Sequence, residues 1–126
     1  MPTFSANLGF LFGDQSLPEA IRSAHQAGFA AVECHWPAAE DIAAIREALA
    51  ETGLPLLGLN TARGNVGGGE MGLSAVPGRQ AEARDAIDQA FDFAQQLDAH
   101  AVHVMAGRAQ GPKAEAVFIE NLRYAC

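Results

Sequence analysis

The chain has 126 residues, of which 49% are hydrophobic and 18% charged, so it can bury the core of one domain and does not have the composition of a disordered segment. Its formal net charge is −7 and its eight lysine and arginine residues are scattered, which argues against binding to nucleic acid or to an anionic membrane surface. No apolar run approaches the roughly 18 residues that cross a bilayer, and the start MPTFSANLGFLFGD has neither the basic end nor the cleavage site of a secretory signal.

The first predicted strand runs from Phe4 to Leu8 and is followed by a helix. Ser16 and Glu19 fit a capping box, in which the serine hydroxyl accepts a hydrogen bond from a helix amide and the glutamate reaches back to the cap. Gly28 lies where a glycine would end this helix. An apolar stripe at helical spacing joins these two signals: Leu17, Ala20, Ile21, Ala24 and Ala27.

Three more strand–helix pairs follow in the same order. Strands are predicted at 31–35, 56–60 and 101–105, and the helix after the second strand ends near Gly53. A long loop from Thr61 to about Gly78 precedes the third helix, and the fourth helix begins near Lys113 and continues to Cys126. The order βαβαβαβα predicts one domain over 1–126 with parallel strands and right-handed crossovers.

Two folds fit this order: a doubly wound, flavodoxin-like sheet and a (β/α)₈ barrel. Alternate residues of a strand face opposite sides, so the pattern within each strand separates the two folds. Each predicted strand has one apolar face and a second face with polar residues late in the strand, as in a barrel lumen. The apolar faces are Phe4, Ala6 and Leu8; Val32 and Cys34; Leu57 and Leu59; and Val102 and Val104.

A complete barrel needs eight strands and about 250 residues. This chain supplies four strands and ends within a helical pattern that has no C-cap glycine. The expected fold is therefore the first four βα units of a (β/α)₈ TIM barrel, truncated.

Glu33 and His35 are the strongest candidates for chemistry, because residues two apart in a strand emerge on one face. A carboxylate beside an imidazole can act in acid–base catalysis, although such a pair inside a barrel more often only shapes the pocket. His103 is predicted to face the lumen, whereas His100 is predicted in the preceding loop, so the two do not form a metal-binding pair.

The loop at 61–78 contains Gly67, Gly69 and Gly72, which match the dinucleotide pattern G-x-G-x-x-G. That fingerprint requires a turn directly between strand and helix, and here Pro77 and several other residues intervene, so we reject the cofactor interpretation. Two alternatives remain: a mobile lid over the barrel mouth, in which Arg63 or Glu70 makes a polar contact, and a merely flexible loop.

Taken in order, the motifs of the whole chain resemble those of hydroxypyruvate isomerases. They are FSANL at 4–8 with LFG at 11–13, AGF at 27–29 leading to AVECHWP at 31–37, GLNT at 58–61, GE at 69–70 through PGR at 77–79, VHVMAG at 102–107 and ENLRYA at 120–125.

The resemblance implies a xylose isomerase-like barrel that interconverts hydroxypyruvate and tartronate semialdehyde, by an aldose–ketose type of proton transfer through an enediolate. It also implies two glutamates and a divalent metal that polarises the carbonyl. Close relatives of the family act on other small oxo-acids and more distant ones on sugars. The family's metal ligands and catalytic glutamates lie on later strands, so we expect catalytic residues only beyond Cys126 and no metal or other cofactor bound by this chain.

What this chain would contribute is the pocket wall, inferred from strand parity rather than from family roles. The wall residues are predicted to be Asn7, Glu33, His35, Asn60 and His103, with Arg63 and Glu70 as lid contacts. The expected partner is a small hydroxy- or oxo-acid, not nucleic acid or a membrane. Cys34 and Cys126 are predicted to be free thiols of a cytoplasmic protein.

Two other functions stay open. A non-catalytic half-barrel could self-associate into a homo-oligomer through its exposed strand edges. A flavodoxin-like binding domain would instead bury Glu33 and His103 under helices on both sides of the sheet.

Overall fold

The computed structural model describes residues 1–37 and 41–126. Within them, strands and helices alternate as the sequence predicts, and the strands form one parallel sheet in the order β1-β2-β3-β4. The elements are β1 (Ser5–Asn7), α1 (Leu17–Gln26), β2 (Ala31–Cys34), α2 (Ile42–Thr52), β3 (Leu56–Asn60), a 3₁₀ turn (Val66–Gly68), α3 (Gln80–Leu97), β4 (Val102–His103) and α4 (Pro112–Ala125).

The helices follow one another around one side of the sheet, since α1 contacts α2, α2 contacts α3 and α3 contacts α4. A doubly wound sheet reverses its strand order at a switch point and carries helices on both faces. The described strands show no such reversal, and the other face of the sheet is open. The predicted half of a TIM barrel is therefore confirmed, and the flavodoxin-like alternative is excluded.

Local sequence signals set the helix ends. Ser16 caps α1 with both halves of the predicted capping box, and Gly28 follows its C-cap with φ of 87°. Gly53 ends α2 in the left-handed conformation, with φ of 69°, as its position in the sequence predicts. None of the helices in the described parts of the chain is long and apolar enough to cross a membrane.

The core lies between the sheet and the helices. Small side chains on the helices let them approach the strands closely, and the strands contribute branched residues. The buried core includes Ala6, Val32, Cys34 and Leu59 on the strands and Ala20, Ile21, Ala24, Ile45, Ala48 and Ala90 on the helices.

Two predicted apolar-face positions are wrong. Phe4 is 65% exposed, because it precedes β1 and so lies outside the strand whose alternation would direct it to the core. The pairing of β2 with β3 shifts register, so that Val32 lies opposite Leu56 while Glu33 lies opposite Gly58. Leu57 is the extra residue at this irregularity, and it lines the open side of the sheet while Leu56 enters the core.

The loop between β3 and α3, residues 61–79, is packed in its second half. Gly72 forms an isolated antiparallel bridge with Ala106, and the Ala75 amide donates to the Ala106 carbonyl at 2.7 Å. Ser74 is 2% exposed, and its carbonyl accepts a hydrogen bond from Asn121 of α4 at 2.8 Å. This loop is therefore held against the chain that leaves β4.

Candidate active site at the carboxyl ends of the strands

Polar side chains lie in two layers on the sheet face opposite the helices. In the lower layer Asn7 pairs in register with Glu33, and Glu33 with Gly58. In the upper layer, one step nearer the carboxyl ends, Asn60 pairs with His103. His35 belongs to the upper layer, because Cys34 is in register with Leu59, the residue before Asn60. Layers of inward side chains at this end of the strands are where TIM barrels build their active sites.

One open cavity of about 740 Å³ lies against these layers. Its polar lining contains every residue that the sequence predicts for the pocket wall, and also Arg63 from the loop after β3. These polar lining residues are Asn7, Glu33, His35, Asn60, Arg63 and His103. The structure thus brings the predicted wall residues together, and their contact with a substrate stays a prediction.

Hydrogen bonds within the site hold the lower layer in place. Ser5, in the same strand as Asn7, donates its hydroxyl to Glu33 Oε1 at 2.7 Å. Asn7 Oδ1 accepts from the Gly9 amide at 3.0 Å, which tightens the turn that follows β1. Glu33 is half-buried and keeps a second carboxylate oxygen for which no hydrogen bond within the described chain is seen.

His35 lies directly after the end of β2 and is packed from the β1 side. The ring of Phe10 meets its imidazole edge to face, with ring centroids 4.9 Å apart. Burial, and then the positive charge of Arg63, lower the pKa of His35 below its ordinary value of 6.5. The imidazole is therefore neutral at neutral pH and can both donate and accept a hydrogen bond.

Arg63 extends from a backbone that is fixed on both sides. The hydroxyl of Thr61, a residue only 1% exposed, accepts from the Met105 amide at 3.0 Å. The carbonyl of Arg63 itself accepts from the Gly72 amide at 2.9 Å. The backbone on either side of Arg63 is therefore held in place, and its guanidinium group lines the cavity.

Glu70, the other predicted lid contact, is placed elsewhere. It does not line the cavity, and its carboxylate accepts from the Asn65 amide at 2.6 Å and pairs with Arg79. The hydrogen bond with Arg79 lowers the pKa of Glu70. Arg79 also pairs with Glu82 at 2.6 Å, so Glu70 connects the loop to the start of α3.

The residues present do not fit the divalent metal that the family resemblance implies. Among residues 1–37 and 41–126, no three histidine, cysteine, aspartate or glutamate side chains come close enough together to hold an ion. His100, in the loop before β4, is exposed and does not line the cavity with His103. We therefore derive no step through a metal from this chain.

Sequence reasoning missed the apolar part of the lining. Phe10, 77% exposed, and Met71 both border the cavity, as does Leu57. The first two lie in loops, where no periodicity indicates which way a side chain faces. Asn121 was also missed: it is fully buried on α4, and a polar residue at a core-facing helical position is the signal that could have found it.

Residues 21–126 match the family described as the xylose isomerase-like TIM barrel. The chain is 48% identical to a putative hydroxypyruvate isomerase of Homo sapiens, with 97% of this chain and 47% of that protein covered. It is 41% identical to a 2-oxo-tetronate isomerase of Pectobacterium atrosepticum, covering 99% of this chain and 49% of that protein.

A solved structure shares the fold closely. The crystal structure named AP endonuclease, family 2, from Brucella melitensis superposes with a TM-score of 0.91 at 38% identity, covering 99% of this chain and 50% of that one. The chain thus spans about half the length of the relatives it matches. The predicted resemblance to hydroxypyruvate isomerases is confirmed, and by its sequence match and its singly wound sheet the chain belongs to the xylose isomerase-like TIM barrel family.

Proposed function

We propose that this chain forms part of the substrate pocket of an isomerase that moves a proton between adjacent carbons of a small hydroxy- or oxo-acid, with hydroxypyruvate as the first candidate. The observation that carries the proposal is the convergence of six polar side chains on one open cavity at the carboxyl ends of the strands. The names of the human and Pectobacterium relatives support it, since one is called a putative hydroxypyruvate isomerase and the other a 2-oxo-tetronate isomerase.

The chain's own residues can bind and orient such a substrate. The amides of Asn7 and Asn60 and the neutral imidazole of His35 can donate to carbonyl and hydroxyl oxygens, and Glu33 can accept from a hydroxyl. A proton transfer through an enediolate also needs acid and base groups beside the two carbons and a positive charge to hold the oxygens. Glu33 is the only carboxylate in the described lining, so we propose that the remaining groups come from outside this chain.

The name of the Brucella structure suggests a different substrate, damaged DNA. The net charge of −7 and the single arginine of the cavity lining weigh against binding of a phosphate backbone. A gel-shift measurement at low salt with a duplex containing an abasic site separates the two functions. We expect no shift, and a tight complex would favour the nuclease.

The activity test follows hydroxypyruvate by proton NMR in heavy water, with the native protein and added Mg²⁺ or Mn²⁺. We expect conversion to tartronate semialdehyde with deuterium at the carbon that receives the proton. The 126-residue chain alone is expected to show only the buffer rate. No conversion of hydroxypyruvate or other short oxo-acids by the native protein would overturn the proposal.

A matched pair of variants connects this activity to the cavity. Glu33→Gln removes the lining carboxylate, and we expect kcat/KM to fall by about tenfold or more, the usual effect of losing a charged hydrogen-bond partner. Glu115→Gln makes the same change at an exposed position on α4 and should leave the rate unchanged. Equal kcat/KM values for the two variants would show that the activity does not depend on this cavity.

A further inference from the structure

We propose that Arg63 binds the carboxylate of the substrate, and that this contact makes the site select anionic oxo-acids over uncharged carbonyl compounds and sugars. The inference rests on the proposed function, because it names the substrate group that the same cavity recognises. It is carried by the pairing state of Arg63, its bracing and the distribution of charge along the cavity.

Arg63 is a half-buried cation for which the described chain supplies no counter-ion. Arg22 contacts Glu51 and Arg84 contacts Glu120, each at 2.7 Å. Arg46, Arg108 and Arg123 form no ion pair within the described residues, but they are exposed and lie outside the lining of this cavity. Arg63 makes no side-chain ion pair or hydrogen bond with residues 1–37 or 41–126, yet it lines the cavity. A guanidinium left free at the wall of a cavity is a binding group for an anion.

Backbone hydrogen bonds to neighbouring segments fix the position of Arg63. Its carbonyl is held by the Gly72 amide, and Gly72 in turn bridges to Ala106 on the chain leaving β4. Two residues earlier, the Thr61 amide donates to the His103 carbonyl at 3.0 Å. An arginine whose backbone is held in this way loses less entropy when it binds a ligand than one on a free loop.

Charge is separated along the cavity. Glu33 lies in the lower layer, where the Ser5 hydroxyl holds it, whereas Arg63 comes three residues after the upper-layer residue Asn60. The positive charge of Arg63 is felt at His35, whose pKa is lowered by burial and by that charge. A short oxo-acid would therefore bind with its carboxylate at Arg63 and its hydroxyl end toward Glu33.

The lining favours a carboxylate over a phosphate. It contains one arginine and, within the described residues, no lysine, and the glycines of the loop at 61–78 lie outside it. Phosphate sites usually combine several donors, among them backbone amides at a helix start. One planar guanidinium matches a carboxylate by two parallel hydrogen bonds.

The binding test uses the native protein and D-glycerate, an unreactive analogue of hydroxypyruvate, with glycerol as its uncharged counterpart. We expect glycerate to bind the wild type and to raise the pKa of His35, observed by NMR, because a bound carboxylate neutralises the Arg63 charge. Arg63→Gln should weaken glycerate binding by about tenfold or more, and Arg63→Lys should restore part of it. Arg123→Gln, at an exposed position of α4, is the control and should bind as the wild type does.

Glycerate binding that Arg63→Gln leaves unchanged would overturn the inference, as would equal binding of glycerol and glycerate. Kinetics give a second measure: Arg63→Gln should raise KM for hydroxypyruvate far more than it lowers kcat. If the native protein converts no oxo-acid but glycerate binding still depends on Arg63, the isomerase proposal fails and the carboxylate site stands.

Discussion

Gly9 shows how one residue can position a functional side chain of another strand. A Cβ atom at Gly9 would lie 2.3 Å from Nε2 of His35, far inside van der Waals contact. The turn after β1 therefore needs a residue without a side chain for the imidazole to occupy its place beside Phe10. The position of His35 in the pocket wall therefore requires that residue 9 has no Cβ atom.

We expect Gly9→Ala to displace His35 and to return its pKa toward the ordinary value, because the ring would lose its burial. An NMR titration of the imidazole resonances measures this change. Gly13→Ala is the control, since a Cβ atom there meets nothing within 4 Å. His35 resonances that are the same in Gly9→Ala and wild type would contradict the prediction.

The two thiols should differ sharply in reactivity. Burial raises the pKa of the Cys34 thiol to about 12, whereas Cys126 is exposed. When the folded 126-residue chain is treated with a maleimide at mildly alkaline pH, we expect one label per chain. In denaturant we expect two. Cys126→Ser should abolish labelling of the native chain, and rapid labelling of that variant would show that Cys34 is not protected.

At the scale of elements, the loop at 61–79 and the chain leaving β4 approach too closely for ordinary side chains. A Cβ atom on Gly72 would lie 2.4 Å from the Met105 carbonyl oxygen, and one on Gly107 would lie 2.4 Å from the Gly72 carbonyl oxygen. Gly72 also has φ of 117°, a conformation that other residues rarely adopt. This contact brings Arg63 and His103 to the same cavity.

Gly72→Ala should therefore loosen the loop and lower stability by about 1–3 kcal/mol, the usual range for backbone strain. In hydrogen exchange, the amides of Ser74 and Ala75 should lose protection, since both donate to the chain leaving β4. Gly67→Ala tests the same substitution in the same loop, where the nearest atom would be 3.6 Å away. Similar amide hydrogen exchange in the two variants would show that the close approach at Gly72 does not cause the loss of protection.

Asn121 joins α4 to the same loop. It is fully buried and donates to the Ser74 carbonyl, and it accepts from Arg84 of α3 at 3.3 Å. Asn121→Ala should cost about 1–3 kcal/mol of unfolding free energy, because it leaves a buried carbonyl without its donor. Ile119→Ala removes a side chain of similar size that is 42% exposed, and denaturant unfolding should show a clearly smaller loss there. Equal losses would contradict a specific contribution of the buried Asn121 hydrogen bond.

For the molecule as a whole, the open sheet is the dominant feature. In the described residues β1 and β4 each pair with one neighbour only, and unpaired strand edges invite pairing with another chain. In a complete barrel such edges are closed by further strands. The 126-residue chain by itself should therefore associate.

We expect light scattering after size exclusion to show a mass that rises with concentration for this 126-residue chain. Phe4→Lys places a charge at the exposed start of the edge strand β1 and should reduce association. Phe91→Lys makes the same change at a residue of α3 that is 44% exposed and should have little effect. A monomer at every concentration would remove the self-associating half-barrel from consideration.

Much of this architecture could be predicted from the sequence because its signals are local. The capping box at Ser16, the end of α2 at Gly53 and the third strand at 56–60 depend on neighbouring residues or on a short periodicity, and each is confirmed. Parity likewise placed Glu33 and His103 on the open face. Parity gave the wrong face for Leu57, because the register shift depends on pairing with the neighbouring strand. The alternation of residues within β3 alone does not reveal such a shift.

The sequence by itself determined the order of elements, the parallel sheet and which polar strand residues face the cavity, since these follow from periods and caps a few residues long. Tertiary structure alone decided that Glu70 pairs with Arg79 while Arg63 stays unpaired at the cavity wall. The loop's position likewise depends on the contacts of Thr61 with Met105 and of Asn121 with Ser74. These contacts join residues far apart in the chain, so no local pattern encodes them.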